Sequence, residues 1–215
     1  MRYLKIFESF RSTWICKKCG IENYIINADG SIDVDGDVDL GQWSNPYRSG
    51  VSFTIQGRLD LKFRNVSGHF TCDRINLISL EGCPVSVGGG FYCGDNLLVN
   101  LEGCPLSVGG HFHCGGNKLT SLEGCPKEVG YGFNCEKNNL SGFEGYSGEG
   151  NHFSCNGNIV YNVWMLFEDK DKIEYFNEFD MIRNNGTEII LDRLNSFLQD
   201  IGKPIVKKVE GYICI

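Results

Sequence analysis

Apolar and polar residues in the middle of the chain recur at a fixed interval. From Val87, a Phe follows after four residues, a Cys two residues later, and Leu five and eight residues after that Cys. The same order starts again at Val108. The Cys of this pattern recurs every 21 residues, with a last spacing of 20, at Cys72, Cys93, Cys114, Cys135 and Cys155. A period of this length predicts stacked coils, each a single supersecondary unit.

Within one unit, the Phe-x-Cys alternation predicts a short strand. Both side chains point to the buried face, and the residue between them, Tyr92 or His113, points the other way. An Asn lies three residues after the Cys in four units, at Asn96, Asn117, Asn138 and Asn158. We expect each of these Asn side chains to bond backbone groups that the strand leaves unpaired. The Cys serves as a small apolar filler of the core.

The two ends of the chain depart from the repeat, and open ends of a repeat array need caps. A helix over about 3–15 predicts an N-terminal helical cap at 1–29, and the repeats occupy 30–160 with a first strand over 34–40. Residues 161–215 predict a C-terminal helical cap. The expected helices of this cap cover 161–167, 172–182 and 188–201. A final strand could follow in 204–215.

One segment interrupts the repeat near its beginning. Leu40 and Cys72 hold equivalent positions but are 32 residues apart, so about eleven residues are extra. The extra segment is expected near 41–57, and its aromatic residues are Trp43, Tyr47 and Phe53. Insertions in repeat arrays emerge as loops, often on the binding face.

Composition excludes some partners. The formal net charge of −7 and a pI of about 5.1 disfavour nucleic acid, which requires clustered Lys and Arg. No apolar run reaches the ~18 residues that span a membrane, and no secretory signal is expected. Eleven Cys without such a signal favour reduced thiols in a cytosol.

The unit Phe-x-Cys-x-x-Asn-x-Leu-x-x-Leu matches the leucine-rich repeat pattern, with Phe and Cys in the first two Leu positions. It resembles the short bacterial type of this repeat. The sequence motif SLEGCPxxVGG, together with residues 30–40 and the C-terminal region of the chain, resembles leucine-rich-repeat-like proteins encoded by tailed bacteriophages. The resemblance implies a right-handed, curved α/β-type repeat solenoid of about six coils, made in the cytoplasm of a bacterial host. The chain departs from the pattern at 73–75 and at 41–58.

Two sets of residues suggest a metal site. His69, His111 and His152 hold the same position in alternate coils, and His113 shares a strand face with His111. Coils stack ~4.8 Å apart, so alternate-coil His residues are ~10 Å apart and cannot share one zinc ion. Cys16-x-x-Cys19 is half of a zinc ribbon, and the default interpretation is partial burial under the N-terminal cap. We therefore expect no metal ion and no cofactor, and keep zinc binding as an alternative.

Three further motifs have structural explanations. Asp33 to Asp39 lacks the Gly and acid positions of a calcium loop, so its acids are expected to line the rim of a strand. The Gly runs after Val87 and Val108 recur with the period, which favours tight corners over phosphate loops. A second set of Cys precedes Pro on the expected convex turn and is expected to stay reduced, at Cys83, Cys104 and Cys125.

These expectations favour a non-enzymatic protein-binding module, phage-encoded and acting on a host or host-defence protein. A structural protein of the virion or a self-assembling protein is the main alternative. One candidate surface is the aromatic insertion with Trp43, Tyr47 and Phe53. The other is a column on the expected concave face, formed by Tyr92, His111, His113, Asn134 and His152. Exposed aromatic residues often anchor interfaces.

Overall fold

Each repeat unit contributes two short strands, one to each of two sheets. The computed structural model describes residues 2–41, 54–146, 148 and 150–215, with side chains from residue 11 onward. The helices are α1 Arg2–Cys19, α2 Tyr161–Trp164, α3 Ile173–Glu178 and α4 Leu191–Asp200. The strands are β1 Tyr24–Ile26, β2 Ile32–Val34, β3 Val38–Asp39, β4 Thr54–Ile55, β5 Arg58–Leu59, β6 Phe63–Val66, β7 Phe70–Thr71, β8 Ser86–Val87, β9 Phe91–Tyr92, β10 Ser107–Val108, β11 Phe112–His113, β12 Glu128–Val129, β13 Gly132–Asn134, β14 His152–Ser154, β15 Ile182–Arg183, β16 Glu188–Ile189 and β17 Ile213–Cys214.

Sheet 1 has the strand order β1-β2-β6-β8-β10-β12, and sheet 2 has the order β3-β7-β9-β11-β13-β14. All of these neighbours are parallel except β1 and β2. In sheet 2 the register advances by one repeat unit per strand, so that the Phe side chains align at Phe70, Phe91, Phe112, Phe133 and Phe153. The predicted Phe-x-Cys strand is confirmed, whereas the second strand of each unit was not predicted.

The first unit shows the same division. The sequence predicts one strand over 34–40, but the chain forms β2 and then β3. Gly36 lies between them with a φ of 132°, a conformation that L side chains rarely adopt. The alternation of apolar residues therefore continues through a turn and does not mark one continuous strand.

The inward residues of the units form one continuous core. Phe70, Phe91 and Phe112 are fully buried, and their rings stack with centroids 5.6 and 6.0 Å apart. The repeat Cys and Leu residues are buried beside them. Burial of each such Phe stabilises the fold by about 1.5–3 kcal/mol. Each unit thus gains its core from its neighbours.

The repeat Asn residues bond backbone groups, as the sequence predicts. The Asn96 side-chain oxygen accepts the N–H groups of Ile75 and Leu77, at 3.1 and 3.0 Å. Its Nδ2 donates to backbone oxygens of the two adjacent units, those of Cys72, Cys93 and Gly94. Asn117, Asn138 and Asn158 make equivalent bonds. This Asn column therefore ties each unit to the preceding one.

Helix α1 lies in the region predicted as the N-terminal cap and is longer than the predicted 3–15. It ends before Gly20, whose φ of 71° is left-handed, and Ile21 N–H returns to the Cys16 carbonyl. Cys16 and Cys19 lie on α1 and are buried more completely than the partial burial that was predicted. Trp43, Tyr47 and Phe53 lie outside the described residues. The antiparallel pair β4 and β5 follows them.

The strand expected in 204–215 is present as β17, but two further strands of the C-terminal region, β15 and β16, were not expected. Strands β15, β16 and β17 form a three-stranded sheet there. Residues Glu188–Ile189 form β16 instead of beginning the last helix, because Ile215 N–H bonds the Ile189 carbonyl. Helix α4 then begins at Leu191 and buries Leu194, Phe197 and Leu198. Among the described residues, no helix is long and apolar enough to cross a membrane.

Candidate functional site

The outer face of sheet 2 carries a groove of about 520 Å³. All five residues predicted for the concave column line it: Tyr92, His111, His113, Asn134 and His152. The remaining lining residues are Asp73, Phe112, Gly132, Phe133 and Ser154. The structure therefore brings the predicted column together in one cavity, which we call the groove.

Parallel register places these side chains next to one another. The Phe of each unit faces the core, so the following residue faces outward. Tyr92 pairs with His113, and His113 pairs with Asn134 in the next strand. Adjacent strands are ~4.8 Å apart, close enough for neighbouring side chains to contact one partner together. Tyr92, His113 and Asn134 are half-buried, which leaves part of each side chain accessible.

Glycines create the space in which the rings of the groove lie. A Cβ atom built on Gly90 would be 2.6 Å from the Tyr92 hydroxyl oxygen. A Cβ on Gly94 would be 2.5 Å from the His113 Cε1 atom. The position before the Phe alternates between His and Gly over five units, at His69, Gly90, His111, Gly132 and His152. The rings therefore lie along the sheet surface over neighbouring glycines.

Asp73 lies in the lining of the groove and is half-buried. Its carboxylate accepts the backbone N–H of Gly94. Burial raises the pKa of the Asp73 carboxyl, and this effect outweighs the Gly94 N–H and the nearby charges of His113 and Arg74, which lower the pKa. Among the described residues Asp73 has no ion pair within 4 Å. Its neighbour Arg74 pairs with Asp95 instead, at 2.6 Å. Asp73 is thus a half-buried carboxyl group whose charged neighbours, His113 and Arg74, do not form an ion pair with it among the described residues.

Sequence reasoning missed Asp73 as a site residue, although it noted a departure from the repeat at 73–75. The position of Asp73 within the repeat unit could have identified it from the sequence. Gly94 and Gly115 follow the Cys in the next two units, whereas Asp73 follows Cys72. Asp73 therefore places a carboxylate beside two units that carry Gly at this position, whereas the later units carry Glu136 and Asn156.

The described part of the chain contains no group of three or more His, Cys, Asp or Glu residues placed to hold a metal ion. The repeat thiols are in the core, and burial raises the pKa of Cys72, Cys93 and Cys135 well above the ordinary value. Buried thiols with raised pKa are poor nucleophiles and poor metal ligands. The Cys column therefore acts as core filling.

The second set of Cys was predicted on the convex turn, but Cys83 is buried and its thiol contacts Cys72 of the same unit. Cys104 and Cys125 are partly buried against the core. These side chains point inward because the Cys-Pro turn places them over the apolar interior. All the cysteines are free thiols.

The acidic row from Asp33 to Asp39 points outward as expected, since Asp35 and Asp37 are exposed, and three of its members also bond to the next unit. Asp33 pairs with Arg64, which lowers the pKa of the Asp33 carboxyl to about 2. Asp35 accepts the Ser67 hydroxyl at 2.8 Å, and Asp37 accepts the His69 backbone N–H at 2.7 Å. These acids therefore connect the first unit to the second.

Comparison with protein-family models, curated proteins and solved structures found no match to this chain. The leucine-rich repeat assignment and the phage resemblance therefore stay predictions that rest on the sequence. The geometry of the groove is the observation from which a function is argued.

Proposed function

We propose that the chain is a non-enzymatic protein-binding module of the leucine-rich repeat type, and that the groove on sheet 2 binds its partner. The observation that carries this proposal is the convergence of the variable residues. Tyr92, His113 and Asn134 differ between units that are otherwise alike, and they line one cavity. Residues that only maintain the repeat would have no reason to differ at these positions.

The chemistry of the groove suits a protein partner. It combines rings, an amide and one carboxylate, and such mixed surfaces recognise a partner through a few well-packed anchors. Its volume falls within the roughly 300–1,000 Å³ of ligand sites, large enough for one or two side chains of a bound segment. The resemblance to phage-encoded repeats further suggests a host or host-defence protein as the partner, met in the host cytoplasm.

A capture experiment tests the proposal. The tagged chain is incubated with lysate of phage-infected host cells, beside a variant carrying Tyr92→Ala and His113→Ala and a control variant with Lys118→Ala. Lys118 is exposed and does not line the groove. A genuine partner is retained by the wild type and by the control but lost from the double variant. If every captured protein survives the double substitution, the groove is not the binding surface.

The aromatic insertion is the second proposed contact surface. Trp43→Ala alone is tested in the same lysate, with capture by the wild type as the reference. Loss of the same partner from this variant would add the insertion to the interface. Retention of all partners would remove it from the proposal.

One observation favours the alternative of self-assembly. Strand β1 is the edge of sheet 1, and Ile25 within it is 67% exposed. Unprotected sheet edges can pair with another chain. Light scattering of the purified chain over a wide concentration range distinguishes the two functions. A stable oligomer that Ile25→Lys dissociates would favour assembly, and a monomer at all concentrations would exclude it.

A further inference from the structure

We propose that the groove recognises an arginine side chain of the partner, with Asp73 as the anion that receives the guanidinium group and Tyr92 and His113 as the rings that flank it. This inference rests on the proposed function, because it names the chemical group that the same groove would bind.

Asp73 has unused capacity to accept hydrogen bonds. An ionised carboxylate offers about four acceptor positions, and among the described residues Asp73 receives one hydrogen bond, from the Gly94 N–H. Burial raises the pKa of the Asp73 carboxyl, so its ionised form is poorly solvated where it lies. A cationic donor that reached this carboxylate would replace the missing solvation and supply charge-assisted hydrogen bonds.

Among the described residues no cation fills this role: the charges of His113 and Arg74 act on Asp73, but neither group forms an ion pair with it. Arg74 is the immediate neighbour of Asp73 but pairs with Asp95 at 2.6 Å. The other acids with a clearly shifted pKa have the opposite shift: Asp33 and Asp180 each pair with an Arg, and Asp29 accepts hydrogen bonds from Ser31, which lowers the pKa in each case. Asp73 is the exception among the described carboxyl groups, since its pKa is raised. Charge complementarity therefore favours a cation supplied by another molecule, as does the net charge of −7.

The rings of the groove favour arginine over lysine. A guanidinium group is planar, donates hydrogen bonds in a fork that matches a carboxylate, and stacks on aromatic faces. Tyr92 lies along the sheet over Gly90, and His113 lies over Gly94, whose N–H bonds Asp73. The rings thus lie in the same groove as the carboxylate. A lysine ammonium could use the carboxylate but would gain less from the rings.

The test uses three small probes that differ only in the side chain: the acetylated methylamides of arginine, lysine and citrulline. Citrulline keeps the planar shape of arginine without its charge. Each probe is titrated into the ¹⁵N-labelled full chain, and the backbone N–H of Gly94 is followed by NMR because it donates to Asp73. We expect saturable shifts with arginine at roughly millimolar affinity, binding at least about threefold weaker with lysine, and none with citrulline.

Two variants make the test specific. Asp73→Asn keeps an oxygen that can accept the Gly94 N–H but removes the charge, and it should weaken arginine binding by about tenfold or more. Glu102→Gln is the matched control, because it removes one charge from an exposed residue outside the groove. It should bind the arginine probe as the wild type does. Melting curves of both variants verify that they are folded.

The outcomes separate this inference from the proposed function. Equal arginine affinity in the wild type and Asp73→Asn, equal shifts with arginine and citrulline, or no arginine binding at all would overturn the arginine site. If a partner is lost from the Tyr92 and His113 double variant but retained by Asp73→Asn, the protein-binding function stands and the arginine site is wrong. If arginine binds through Asp73 but no captured protein depends on the groove, the site stands without that function.

Discussion

The Asn column offers the sharpest test of how the repeat units are held together. Asn96 is 5% exposed and accepts two buried backbone N–H groups, those of Ile75 and Leu77. Asn96→Ala removes that acceptor together with the donor to three backbone oxygens. Alanine is smaller than Asn and brings no polar group, so the N–H groups of Ile75 and Leu77 remain in the core without a partner.

The expected loss of stability follows from these bonds. A buried N–H group left without a partner costs about 1–3 kcal/mol, so two such groups give about 2–6 kcal/mol. The Gly94 oxygen adds little, because it still accepts the Arg74 N–H at 3.2 Å. The unfolding free energy of a folded domain is typically about 5–15 kcal/mol, so the substitution removes a large fraction of it.

Urea unfolding followed by circular dichroism measures this loss, and other Asn residues supply the comparison. Asn117 accepts one N–H group, that of Leu98, so Asn117→Ala should cost less than Asn96→Ala. Asn139 is exposed, and Asn139→Ala should change the unfolding free energy by less than about 0.5 kcal/mol. A loss below 1 kcal/mol for Asn96→Ala, or equal losses at 96 and 139, would refute the account of the column.

Three further changes have defined outcomes. Folding raises the pKa of the Asp73 carboxyl, so its ionisation destabilises the fold as pH rises through that pKa. The Asp73→Asn variant should therefore have a higher melting temperature than the wild type at pH 7. Below about pH 4, where Asp73 is protonated in the folded and unfolded chain, this gain should disappear. Gly109→Ala would place a Cβ 2.2 Å from the Gly88 oxygen and should cost about 1–3 kcal/mol in urea unfolding. Cys114 is buried and its pKa is raised, whereas Cys214 is partly exposed. In the native chain, Cys214→Ser should therefore remove most of the fast reaction of thiols with a disulfide reagent.

The sequence was sufficient to predict features that repeat. Phe112 and Asn117 recur in register with their equivalents in other units, so one argument about strand direction or backbone bonding applies to every unit at once. Stacking in register also aligned Tyr92 with His113 and Asn134, and this is why the groove residues could be named in advance. The burial of the repeat Cys followed from the same alternation.

The features that the sequence did not predict depend on contacts that occur at one place in the chain and do not recur in every unit. Strand β16 forms because the Ile189 carbonyl meets the Ile215 N–H, a pairing between distant residues that local helical spacing does not reveal. The bonds of the first unit's acids were not predicted, because the alternation gives no information on Arg64, which pairs with Asp33. The cost of burying the Asp73 carboxyl likewise depends on neighbouring units that fold around it.

The same distinction explains where a partner could be recognised. An inward Phe, Cys or Asn already uses its surface and hydrogen bonds within the stack, as the five bonds of Asn96 show. Such a residue has little interaction capacity left for another molecule. Asp73 has the reverse balance, with one hydrogen bond and no ion pair among the described residues, beside rings that only some units carry. Binding at Asp73 would therefore add interactions that the fold does not already make, whereas binding at the repeat residues would first have to break them.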